Sequence, residues 1–105
     1  GQVLDVDETK MEVTTKLNAD LGEYSAALGS AQLLPNGSYH FDSGFLLGQN
    51  PDGSPSYAAD SLEVAPSGTI EFGIQFPTLE YRTFRMRDLY TAPEDTLPRP
   101  PGRNR

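Results

Sequence analysis

The cleanest pattern in this chain is an alternation of period two. In TIEFGIQF, Ile70, Phe72, Ile74 and Phe76 face one way, and Thr69, Glu71, Gly73 and Gln75 face the other. A side chain that switches face at every residue is the signature of a strand with one buried face. The same alternation recurs upstream. Leu4 and Val6 alternate with Val3, Asp5 and Asp7. Met11, Val13, Thr15 and Leu17 alternate with Glu12, Thr14 and Lys16. These two runs read as a hairpin. A second hairpin is predicted at GSAQLLPNGSYHFDSG, with strands over 29–34 and 38–45. Its Asn36-Gly37 favours a primed turn with positive φ at both central residues. Residues 46–58 read as a loop rich in Gly, Pro, Asn and Asp. DSLEVA then places Leu62 and Val64 on one face, and a last strand is predicted over 80–87. Residues 18–30 read as a loop or one helical turn, with Asp20 available to cap a turn over 21–27.

Ten Gly and nine Pro among 105 residues punctuate these seven segments, and the hydrophobic fraction is 36%. That is low for a self-sufficient domain, and at most one domain fits. The expected class is all-β, with antiparallel strands. The turns at Asn36-Gly37 and Ser67-Gly68 each divide a pair of strands. Four strands in series with short turns match the size of a propeller blade. The first hairpin would be the outer half of the preceding blade. The strand at 80–87 would complete a blade elsewhere in the ring and so remove an exposed edge. The expected organisation is therefore about one and a half blades over residues 1–92, followed by a Pro- and Arg-rich tail over 93–105. Strand-like sequence begins at Val3, where a domain boundary would offer a linker, so the start reads as the middle of a longer fold.

Charge narrows the partners. The net charge is −7, and residues 1–80 hold two lysines against twelve acids. Six of the eight basic residues are arginines within 81–105. An acidic body does not suit the phosphate backbone, so nucleic acid is not expected as a partner. No apolar run approaches membrane-spanning length, and no membrane partner is expected. Without cysteine, disulfides, thiolate metal sites and a Cys nucleophile are excluded. No GxSxG, HExxH, phosphate loop or GxGxxG is present, and no cofactor is expected.

The ordered series GSAQLLPNGSYHFDSG, SLEVAPSGTIEFGIQF and YRTFRMRDLY resembles the C-terminal end of arylsulfotransferase-type propeller proteins. The resemblance spans roughly residues 2–92. It implies a six-bladed β-propeller exported from the cytoplasm, so an extracytoplasmic location is expected. It implies transfer of a sulfuryl group from an aryl sulfate to a phenolic acceptor. It also implies a transiently sulfated histidine, with further His and Arg residues lining a central funnel. Imidazole suits that role as nucleophile and leaving group, and guanidinium matches sulfuryl oxygens. One feature departs from the family pattern: a site with several histidines cannot be built from a chain holding one, His40. The remaining catalytic groups would lie in N-terminal blades, which are the expected partner, with a small aryl sulfate or phenol as the ligand.

His40 is the catalytic candidate. It shares a strand face with Ser38 and Asp42, but Asp42 lies roughly 6–7 Å along the strand, beyond direct hydrogen bonding. The plainer account makes His40 a hydrogen-bonded residue between blades or at the rim. Ser30 and Gln32 share a face of the strand expected beside the propeller axis. They are substrate-binding candidates, or else bond neighbouring blades. Arg82, Arg85 and Arg87 lie on two faces, so they cannot all enter one site. Salt bridges to the acidic body are the simpler account, with Arg85 the candidate for sulfate. Asp5 with Asp7, and Asn50 with Asp52, carry oxygen ligands suited to calcium but lack the full loop spacing. The sequon Asn36-Gly37-Ser38 is explained by the hairpin turn. Two other readings suit the same sequence: a non-catalytic propeller that binds a protein or glycan, and an independent β-sandwich with a structural or adhesive role.

Overall fold

The computed structural model describes residues 1–90. It is all-β, with no helix among the described residues. Six strands form two antiparallel sheets. The ribbon pairs β1 (Gln2–Asp7) with β2 (Glu12–Asn18). The larger sheet is a meander in chain order: β3 (Gly29–Leu33), β4 (Tyr39–Gln49), β5 (Pro55–Val64) and β6 (Ile70–Phe76). The tail predicted for 93–105 lies outside the described residues.

Three turns of one design connect the meander. In Leu34–Ser38, Leu34 N donates to Ser38 O (2.8 Å) and Gly37 N donates to Leu34 O (2.9 Å). Asn50–Ser54 and Ala65–Thr69 repeat both bonds. Each turn places Pro second and Gly fourth, and only the Gly takes a positive φ: 89° at Gly37, 85° at Gly53 and 91° at Gly68. This is a type I turn closed by a left-handed glycine, not the primed turn expected at Asn36-Gly37. The reason is Pro35. Its ring fixes φ near −65°, which suits the second position of a type I turn and starts the reversal one residue early. The third residue then locks the turn with its side chain. Asn36 Oδ1 accepts from Ser38 N at 3.0 Å, and Asp52 Oδ1 accepts from Ser54 N at 3.0 Å and Ser54 Oγ at 2.6 Å.

The second of these turns corrects the loop expected over 46–58. β4 runs on to Gln49 and β5 begins at Pro55, so only 50–54 turns. Of the two readings for residues 18–30 the structure shows the loop, and Asp20 accepts from Gly22 N at 2.8 Å. One other expectation falls: the segment at 80–87, expected as a strand, joins no sheet.

The apolar core lies on one face of the meander. Leu17 and Ala19 from the ribbon end pack on Phe41 of β4 and Val64 of β5, with Val3, Leu21 and Tyr39 around them. Register places Tyr39 beside Val64 and Phe41 beside Leu62, so these side chains share that face. The next residue along each strand points to the opposite face, and the alternation there is polar.

Candidate functional site

Register assembles a polar grid on that second face. Ser30 pairs with Asp42, and Asp42 with Ser61; Gln32 pairs with His40, and His40 with Glu63. Two rows of three polar side chains therefore cross β3, β4 and β5. The rows end on β6 at Ile74, beside Ser61, and at Phe72, beside Glu63. Gln32, His40, Asp42 and Ser61 are all buried. What buries them is the segment 80–86, here called the strap, which crosses the face parallel to β3.

The strap is held by its main chain at β3 and at Gly44 of β4, and by its side chains at β4 and β5. Ser30 Oγ donates to Thr83 O (2.7 Å) and accepts from Thr83 N (3.3 Å). Gln32 Nε2 donates to Arg85 O (3.0 Å), and Gln32 Oε1 accepts from Arg85 N (2.8 Å). Two side chains spaced by one residue thus do what a neighbouring strand would do. This is why the strap is extended yet belongs to no ladder. Thr83 Oγ1 then meets Ser61 Oγ at 2.7 Å and His40 Nε2 at 2.9 Å. Arg85 Nη1 donates to Glu63 Oε1 at 2.7 Å, and its guanidinium sits 5.7 Å from the Phe72 ring centre. Glu80 N donates to Gly44 O at 3.0 Å, and a Cβ at Gly44 would overlap the Glu80 carbonyl. A glycine is therefore required where the strap touches the sheet.

The proton inventory orders this network. Ser61 Oγ donates to Asp42 Oδ1 at 3.5 Å, and the Thr83 hydroxyl bridges Ser61 Oγ and His40 Nε2, with either hydroxyl able to donate to the other. That leaves His40 Nδ1 buried and unpaired, 3.8 Å from Glu63 Oε1. Burial holds the His40 pKa below its ordinary value, against the opposing pull of Glu63 and Asp42. Burial also raises the Asp42 pKa, and hydrogen bonds from Thr83 and Ser61 oppose the shift. A hydroxyl, an imidazole and a carboxylate thus lie in series, as in nucleophilic catalysis. The series is open at its carboxylate end. Glu63 is beyond hydrogen-bond reach of the imidazole, and its nearer oxygen is engaged by Arg85. Two open concavities, of about 620 and 870 Å³, lie elsewhere, along the ribbon acids and between Tyr57 and Leu79, and a smaller one of about 260 Å³ reaches Gln32 from the ribbon side.

The structure thus gathers all four sequence candidates into one cluster. Ser30 and Gln32 grip the strap, His40 touches its threonine, and Arg85 belongs to the strap itself. Sequence reasoning missed Thr83, Ser61, Glu63 and Gly44 as members. A signal existed: Ser30/Gln32, His40/Asp42 and Ser61/Glu63 are polar pairs spaced by two on successive strands. Of the other arginines, Arg82 sits 4.8 Å from the Tyr81 ring centre. The calcium-like acids serve turns: Asp7 Oδ1 accepts from Thr9 N and Lys10 N at 3.0 Å, and Asn50 donates to Ser54 Oγ at 3.0 Å. Among the described residues no group of three His, Cys, Asp or Glu is placed to hold a metal ion.

A second, smaller cluster sits at the other face. Ser43 pairs with Asp60 across β4 and β5, and Glu23 reaches both. Burial, with a hydrogen bond shared with Asp60, raises the Glu23 pKa to about 7. Compared with protein-family models, with curated proteins and with solved structures, the chain matches none.

Proposed function

We propose that this chain is the ring-closing part of an arylsulfotransferase-like six-bladed propeller, exported from the cytoplasm. In the complete protein a sulfuryl group passes from an aryl sulfate to a phenolic acceptor. The carrying observation is the four-stranded meander in chain order, preceded by a ribbon whose apolar side chains are exposed. The meander has the strand number and order of one blade, and the ribbon supplies the outer half of another. Leu4 (52% exposed), Val6 (59%) and Val13 (60%) on the ribbon suit burial against a neighbouring blade. In this reading the chain supplies scaffold, and the transferring histidine belongs to the other blades. His40 lies beneath the strap, so a catalytic role for it requires the strap to lift.

The test mixes this chain with N-terminal blades and follows 4-nitrophenol release from 4-nitrophenyl sulfate in the presence of a phenol. Transfer should appear only in the mixture. A reconstituted ring with no transfer activity overturns the enzyme reading, and failure of the two parts to associate overturns the propeller.

A further inference from the structure

We propose that the polar face of the meander is a binding site for an extended peptide carrying threonine and, two residues later, arginine. The strap is its resident ligand. The proposal does not depend on sulfuryl transfer.

Recognition divides into two parts. Ser30 and Gln32 take both the N–H and the C=O of alternate ligand residues, so four bonds read main chain alone. Such bonds require an extended backbone and tolerate any residue but proline at the two donating positions. Selectivity comes from the side chains between them. The threonine hydroxyl satisfies His40 Nε2 and Ser61 Oγ, which are buried there. Valine at that position would leave both without this partner, a loss that buried polar groups punish. The arginine meets the Glu63 carboxylate and the Phe72 ring. Arg82 and Phe84 point outward, as alternation requires, and both are exposed.

Two features make the resident ligand exchangeable. Only Glu80 N to Gly44 O joins strap and sheet by a main-chain bond, so detachment breaks no ladder of the meander. Detachment also uncovers serines, a glutamine, a histidine and carboxylates, and water satisfies all of these. An apolar face would not tolerate that exposure. The strap begins beyond Pro77, which follows the last residue of β6, so detachment takes no residue from that strand.

Competition in the full chain tests this. Thr83→Val/Arg85→Ala weakens the strap and leaves the receiving residues intact. The probe is a fluorescein-labelled peptide of residues 81–87, followed by anisotropy. It should bind the double variant at least tenfold more tightly than it binds the wild type. The same peptide carrying Thr83→Val and Arg85→Ala should bind at least tenfold more weakly. Equal binding to both chains, indifference to the peptide substitutions, or no binding to a variant with intact circular dichroism overturns the proposal. Should the variant unfold, hydrogen exchange in the wild type decides. The Thr83 and Arg85 amides should exchange through an opening that leaves β4 and β5 protected; exchange in step with those strands overturns it. Sulfuryl-transfer activity enters none of these readings.

Discussion

At the scale of the residue, burial sets two titrations against each other. The His40 pKa is lowered, so the folded state binds fewer protons than the unfolded chain. Its contribution to stability is complete above pH 6.5 and is lost as pH falls below that value. Glu23 is raised from 4.5 to about 7, so the folded state binds more protons. Its contribution is complete below pH 4.5 and is lost as pH rises towards 7. Between these limits the two slopes oppose. Glu23→Gln deletes the second slope and leaves the first. The melting temperature of the variant should therefore rise relative to that of the wild type between pH 5 and pH 8, whatever slope Asp42 and Glu80, also raised by burial, add to both. Solvent screening of this partly exposed carboxyl limits the gain at pH 8 to about 1 kcal/mol. Thermal melts across that pH range check the slope, and parallel curves for the two proteins refute it.

At the scale of the element, the three Pro-x-Gly turns carry the meander. Their glycines adopt φ between 85° and 91°, and a Cβ at Gly37 would meet nothing within 4 Å. The cost of Gly37→Ala is therefore backbone strain alone, about 1 kcal/mol. Gly68→Ala should cost about the same, and the two should add, since the turns share no strand. Urea unfolding measures both, and an unchanged midpoint would show that the turn does not require the left-handed conformation. Alternation made β1, β2 and β6 legible before any coordinates, and the turn residues Pro35-Asn36-Gly37 did the same for β3. The turn type was legible too, because Pro35 fixes the φ near −65° that the second position of a type I turn takes and so starts the reversal one residue early. The length of β4 and β5 was obscured by the glycines, prolines and serines around 48–56. Those residues discourage a strand locally, yet cross-strand pairing from Leu46–Ala58 to Gln49–Pro55 carries it through.

At the scale of the whole molecule, the chain is spread out. Its radius of gyration is 16.2 Å and its extents are 56 × 37 × 22 Å. A compact domain of about this length has a radius near 13 Å. The ribbon is two strands wide and buries little beyond Leu17 and Val3, so it gains little from its own packing. Its apolar residues, with Ile70, Phe72 and Ile74 on β6, are open to water. The isolated chain should self-associate at micromolar concentration, as measured by sedimentation velocity. Val6→Thr/Val13→Thr keeps β-branched residues in place while removing apolar surface. It should weaken that association by about tenfold while leaving the meander's melting unchanged. A wild type that stays monomeric at high concentration would refute this.

The sequence by itself determined the all-β class, most strand positions and the separation of an acidic body from a basic end. These follow from side-chain alternation and from turn residues, which act within a few positions of the chain. Only the tertiary structure decided that residues 80–87 form no strand and that Ser30, Gln32, His40 and Arg85 meet. Thr83 lies 53 residues from Ser30 and 43 from His40. Contacts at such distances depend on the register of three strands at once, and one slipped residue would turn every polar side chain of the grid into the apolar core.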